Sequence, residues 1–206
     1  LVMTEPNMST RPGLAESWQP LDKTHWLVQL RQNVKFHDGS PLTAADVVFS
    51  MERAGKVPNS PATFGGSTGN IEKMEILDNL SIRFTTKTPD PYFMDNVGTI
   101  YIVKKAATEG MASSDFNSGK AAIGTGPFKF VSWTPGEKLE LVRNDNYWGP
   151  KSAYDKVTMR FITNDAARVA ALLSGAVDMI DLVPPTDLAK LRKDPNIRIR
   201  SEEHTS

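Results

Sequence analysis

The stretch from Val34 to Ala54, VKFHDGSPLTAADVVFSMERA, constrains the fold most, because it dictates an extended run, a tight turn and a capped helix in immediate succession. Asp38-Gly39 supplies the turn: glycine takes positive φ without steric cost, and an aspartate side chain accepts hydrogen bonds from nearby backbone amides. Thr43 then stands where a helix needs an N-cap, and Asp46 lies three residues on, where a capping box ordinarily carries Glu or Gln. Ala44, Val47, Val48 and Met51 recur at helical spacing, so one face of this helix is expected in a core, with Asp46, Ser50 and Arg53 toward water. His37 and Asp38 could be a chemical pair, but two donors on one turn make a poor metal site, which usually takes three or four ligands. The pair reads as structural punctuation.

Around this anchor the pattern is mixed. His25–Arg31, HWLVQLR, alternates in part and predicts a strand, with a second short one over Val34–Phe36. IEKMEIL and LSIRFTT flank Asp78-Asn79 and predict a hairpin, whose core face holds Ile71, Met74 or Ile76, then Leu80, Ile82 and Phe84. Gly, Pro, Ser and Asn crowd Gly55–Asn70 into a long loop, and Ser113–Lys120 reads as a polar turn region. The apolar runs of Tyr92–Lys105 fit neither period alone. Phe128–Trp133 and Lys138–Val142, joined through Pro135-Gly136, predict a second hairpin. Val157–Ile162 predicts a strand, and Thr163 or Asn164 can cap a helix carrying Ala166, Val169, Ala170 and Leu173 before Gly175 stops it. Val177–Val183 resumes an extended course, and Pro184-Pro185-Thr186 opens a short helix with Leu188 and Leu191 inward, ending near Pro195. Hairpins first and a βαβα alternation last give an α/β architecture in two lobes.

Composition narrows the function. Lys plus Arg and Asp plus Glu number 24 each, so no whole-chain field favours a nucleic acid or an anionic membrane surface. Cysteine is absent, which excludes disulfides, zinc-thiolate sites and a cysteine nucleophile. No stretch approaches the roughly 18 apolar residues of a membrane-spanning helix. Gly124-Thr125-Gly126 lacks the spacing of a phosphate-binding loop and precedes a strand rather than a helix, so it reads as a turn feeding a hairpin. Nucleophilic or zinc catalysis has no motif, neither GxSxG nor HExxH. Asp178 and Asp181 could serve acid–base work in a hydrolase or transferase, although carboxylates flanking a strand are more often solvated or helix-capping. Trp18, Trp26, Trp133 and Trp148 could stack on a ligand, but large aromatics more often pack.

Four motifs in order, PGLAESW, FHDGSPLTAADVVFSMERA, GTGPFKFVSWTPGEKLELVRNDNYWG and AARVAALLSGAVDMIDLVPP, resemble the dipeptide, oligopeptide and nickel class of extracellular solute-binding proteins of ABC importers. The resemblance runs from about Arg11 to Arg198. It implies a periplasmic-binding-protein-like α/β fold of type II with an extra accessory domain, no enzymatic activity and no cofactor or metal. It further implies capture of a short peptide or other small solute, delivery to ABC transporter permease subunits, and a monomer placed in the periplasm or lipid-anchored outside the cytoplasmic membrane. Residues 1–123 would form the accessory domain and 124–199 part of the first ligand-binding lobe, with the second lobe outside this chain. By the same resemblance, SGAVDMIDLVPP ends a lobe strand in a cleft-lining loop, so Asp181, Leu182 and Val183 are expected to face ligand. Asp181 is also a candidate cap for the helix after Pro185. A receptor module that senses a solute is the remaining alternative.

Both ends carry expectations of their own. The chain starts at Leu1 rather than Met, consistent with an internal piece of a longer protein. Residues 200–206, RSEEHTS, break the apolar rhythm of Ile197 and Ile199 and resemble the in-frame translation of a DNA sequencing adapter, which removes His204 from any functional argument.

Overall fold

The alternation in the amino-terminal half becomes a four-stranded antiparallel sheet. A computed structural model describes residues 1–5, 7–57, 64–116 and 118–200, and it divides into two compact units. Unit 1 comprises Leu1–Ser132 with Glu140–Val157, and unit 2 comprises Trp133–Leu139 with the chain from Thr158 onward.

In unit 1 the opening forms a small ribbon of β1 (Val2–Thr4) and β2 (Thr10–Pro12). The main sheet follows: β3 (Ala15–Pro20), β4 (His25–Leu30), β5 (Ile71–Asp78) and β6 (Ser81–Thr86), in the order β3-β4-β6-β5. Its register places two apolar rows straight across all four strands, Trp18–Val28–Ile82–Ile76 and Pro20–Trp26–Phe84–Met74. Cross-strand pairing on one face is what stabilises such a sheet. Val28, Ile82 and Phe84 are fully buried, while Ile76, on the edge strand, is 49% exposed.

Between β4 and β5 lies α1 (Ala44–Ala54), entered as its sequence requires, and α2 (Gly65–Thr68), a single turn. The segment 58–63 of the expected loop lies outside the described residues. Ala44, Val47 and Met51 turn into the core, where Phe93 of α3 (Phe93–Gly98) packs its ring 5.2 Å from Phe84 and 5.7 Å from Trp26. Thus α3 lies within Tyr92–Lys105, the segment that periodicity alone left unassigned; α4 (Lys105–Thr108) follows it, and α5 (Ser113–Phe116) is a single turn in the region read as a polar turn.

Two expectations are corrected here. Val34–Phe36 makes one isolated bridge, Lys35 with Pro41, rather than a strand, because the turn at Gly39 (φ 87°) folds the chain back on itself at once. Asp46 and Ser50 do not face water: they are 7% and 3% exposed. The Asp46 carboxylate accepts from the Thr43 N–H (3.0 Å) and hydroxyl (2.8 Å) and from the Lys105 N–H (2.9 Å), while the Ser50 hydroxyl accepts from the Val103 N–H (2.9 Å). A non-regular segment against a helix has backbone groups to satisfy, and these two side chains satisfy them. Arg53 lies over the Phe116 ring, 3.9 Å from its centroid.

The strands β7 (Phe128–Thr134), β8 (Lys138–Arg143) and β9 (Lys156–Arg160) form a three-stranded sheet in that order. Unit 2 also holds α6 (Asp165–Leu173), capped by Asn164, whose side-chain oxygen accepts from the Ala167 N–H at 2.9 Å, and α7 (Pro185–Leu191), with proline in its first turn. Gly175 ends the α6 segment at φ 72°. Val177–Val183 is not a strand: no neighbouring strand pairs with it among the described residues, and the chain bends at Asp178 and again at Asp181 and Leu182, where φ is 50°.

Candidate functional site

His37 and Asp38 do work for the fold. Asp38 accepts from the Ser40 N–H (3.1 Å) and hydroxyl (2.7 Å) and pairs with Lys104; those partners, Lys104 foremost, hold its pKa down at about 2. His37 receives the Gly124 N–H on Nδ1 (3.2 Å) and donates from Nε2 to the Gly126 carbonyl (3.1 Å), while its own N–H reaches the Gly124 carbonyl (2.8 Å). One acceptor and one donor on the ring specify the neutral Nε2–H tautomer. Burial pushes the His37 pKa below its usual value, partly countered by the Gly126 carbonyl, which favours the charged form. The buried Asn144 donates to the same carbonyl (3.0 Å), and the Trp148 indole N–H donates to the Thr125 carbonyl (3.2 Å). Thus the HDG turn, the GTG turn and the NDNYW segment form one locked structural joint within unit 1.

A polar cleft of about 520 Å³ opens beside Trp148, lined also by Glu16, Arg31, Gln32 and Asn33. Its charged groups are already engaged: Arg31 donates from Nε to the Gly13 carbonyl (3.1 Å), approaches Glu16 (3.8 Å) and lies over the Trp148 ring at 4.9 Å. Trp18 and Trp26 pack at the margin of the core, and Trp133 is partly exposed. Asp178 and Asp181 are both exposed, and no basic side chain pairs with either among the described residues.

Unit 2 contains the expected ligand-facing residues. Asp181 is exposed, Leu182 is 80% exposed and Val183 half-buried. Asp181 does not cap α7: the N-cap is Pro184, and no side-chain hydrogen bond caps that helix, because proline at its first position already removes one of the orphan donors. From Asp178 to Val183 the Leu182 carbonyl is the one backbone group with a partner among the described residues. Such a run, with amides and carbonyls unmatched at the surface, is suited to an extended chain laid alongside it. The partner of the Leu182 carbonyl is Arg168, which stands among the apolar residues of α6. Its signal was the Asp165–Arg168 spacing of three, an acidic–basic pair on one helix face.

Comparisons with known proteins bear on the family and the fold. The model described as "Bacterial extracellular solute-binding proteins, family 5 Middle" matches residues 9–206. The "Probable D,D-dipeptide-binding periplasmic protein DdpA" of Escherichia coli (strain K12) is 30% identical over 191 residues, 90% of this chain. Among solved structures, the oligopeptide-binding protein AppA from Bacillus subtilis, in complex with a nonapeptide, superposes with a TM-score of 0.83 at 31% identity over 94% of the chain. NikZ from Campylobacter jejuni, in complex with Ni(L-His), does so at 0.82 and 30% identity over 95%. The chain spans 36% of the first of these relatives and 39% of each solved chain.

Proposed function

The chain belongs to the family 5 bacterial extracellular solute-binding proteins, with their periplasmic-binding-protein-like α/β fold, and from that premise we propose that it is the part of a peptide-capturing importer subunit that forms one side of the ligand cleft. On this reading the protein works outside the cytoplasmic membrane, as the periplasmic relative's name states for that protein, and passes a short peptide to an ABC transporter permease as a monomer. It uses no cofactor and catalyses no reaction. Residues 1–123 constitute the accessory domain, 124–199 contribute to the first ligand-binding lobe, and Asp181, Leu182 and Val183 meet the ligand.

The observation that carries this reading is the backbone of Asp178–Val183, in which the Leu182 carbonyl alone has a partner among the described residues. Peptide main chain recognised by main chain gives affinity with little dependence on side-chain identity. A cleft closing from both sides adds the groups that fix the termini. The test is calorimetry with trialanine and with nickel–histidine on this protein together with whatever coding sequence flanks it in its source. Saturable binding of trialanine supports the proposal; tight binding of the nickel complex with no response to trialanine overturns the peptide assignment.

A further inference from the structure

Leu182 carries φ 50°, a left-handed conformation that a branched side chain rarely adopts, and yet it is 80% exposed, so no packing holds it there. What holds it is one side chain. Arg168 donates from a terminal nitrogen to the Leu182 carbonyl (2.9 Å) and from the other to the Ile162 carbonyl (3.0 Å), and it pairs with Asp165 at 2.7 Å. The guanidinium therefore ties together the end of the strand segment, the first turn of α6 and the loop before α7. Its Nε is buried with no hydrogen-bond partner among the described residues, a cost tolerated for the reach of the other two nitrogens. Backbone strain maintained by a dedicated partner is characteristic of ligand clamps.

We propose that Arg168 is the positioning residue of this site. It fixes Leu182 in the left-handed conformation and so sets the direction in which the free amides of Asp181–Val183 are presented. Consuming the Leu182 carbonyl leaves the N–H groups of Asp181, Leu182 and Val183 and the carbonyls of Asp181 and Val183 for a ligand main chain. The proposal rests on the reading of this loop as ligand-facing, but the ordering role can be tested separately.

The experiment is NMR relaxation on ¹⁵N-labelled protein, extended by its flanking sequence and carrying Arg168→Met or Arg168→Lys, with trialanine as the probe. Lysine keeps the pair with Asp165 but cannot bridge two carbonyls with a planar fork. The expected result is that Arg168→Lys leaves the α6 amide signals in place, whereas order parameters at 181–183 fall from about 0.85 to below about 0.6 in both variants. Trialanine should then bind at least about tenfold more weakly to both. Unchanged order at 181–183 in Arg168→Met, or full recovery of both order and affinity by lysine, overturns the positioning role. Loss of order with no trialanine response even in the parent protein supports the positioning role and overturns the peptide reading.

Discussion

The two units are built differently. Unit 1 is organised by apolar rows that run across a sheet into a helix face, and its main buried cluster extends from Leu1 to Ile102. In unit 2 the buried apolar side chains among the described residues are Val169, Pro184 and Leu191, and side chain to backbone ties, from Asn164 and Arg168, do much of the remaining organisation. The difference teaches where rigidity and adaptability reside. Segments with few buried contacts and exposed backbone open at low free energy, and ligand-binding elements are drawn from that end of the range.

Predictions that break this contrast run from large to small. Phe84→Ala removes a fully buried ring packed on Phe93 and should cost about 3–5 kcal/mol in global stability, read from denaturant midpoints at unchanged m-value. Asp46→Ala should follow at about 1–3 kcal/mol, because it strands the Lys105 N–H and strips the helix entry at once. Val169→Ala should cost about 2 kcal/mol, but as loss of exchange protection in α6 and α7, with β4 and β6 unaffected. Asn164→Ala should cost about 1 kcal/mol, again confined to α6. If either unit 2 substitution lowers protection in β4 and β6 equally, the two units are not energetically distinct.

Protonation sharpens the contrast in unit 1. The folded-state pKa of His37 lies below its unfolded value, so the folded protein binds fewer protons and stability is complete above about pH 6.5. It declines as pH falls from there through the folded pKa, since a proton on Nδ1 would oppose the Gly124 N–H. Lys129, whose charge also disfavours the imidazolium, and Asp38, which favours it, both act on the ring, and Asp38 is itself paired with Lys104. His37→Gln should abolish this step in a plot of melting temperature against pH, while leaving the lower one. That lower step belongs to Asp22, Asp38 and Glu75, each held at about 2, whose contributions are lost as pH drops below about 4.

Much of unit 1 was legible because its signals are local. Asp38-Gly39, Thr43 with Asp46, and the alternation of Ile82 and Phe84 each specify their geometry within a few residues. Asp46 and Ser50 were misplaced for an instructive reason. Helical periodicity sorts side chains by polarity, but it is blind to an irregular segment, Val103–Lys105, whose amides require buried acceptors. His37 was rightly read as belonging to a turn, yet its partners, Gly124 and Gly126, lie nearly ninety positions away in sequence and no spacing rule reaches them. In unit 2, Asn164 was readable as a cap. Val177–Val183 was not readable as an unpaired run, since a strand needs a neighbour and apolar composition supplies none. Arg168 escaped for the same reason: what it holds is backbone, which leaves no trace in side-chain pattern.

The central claim is that the free main chain of Asp181–Val183 receives a peptide's main chain. The most direct measurement is residue-resolved amide hydrogen exchange of those three positions, with and without saturating trialanine, on the protein with its flanking sequence. The account predicts fast exchange without peptide and protection by about tenfold or more with it, while the joint at His37 and Gly124 is unchanged. Saturable binding that leaves the three amides as fast as before would contradict it.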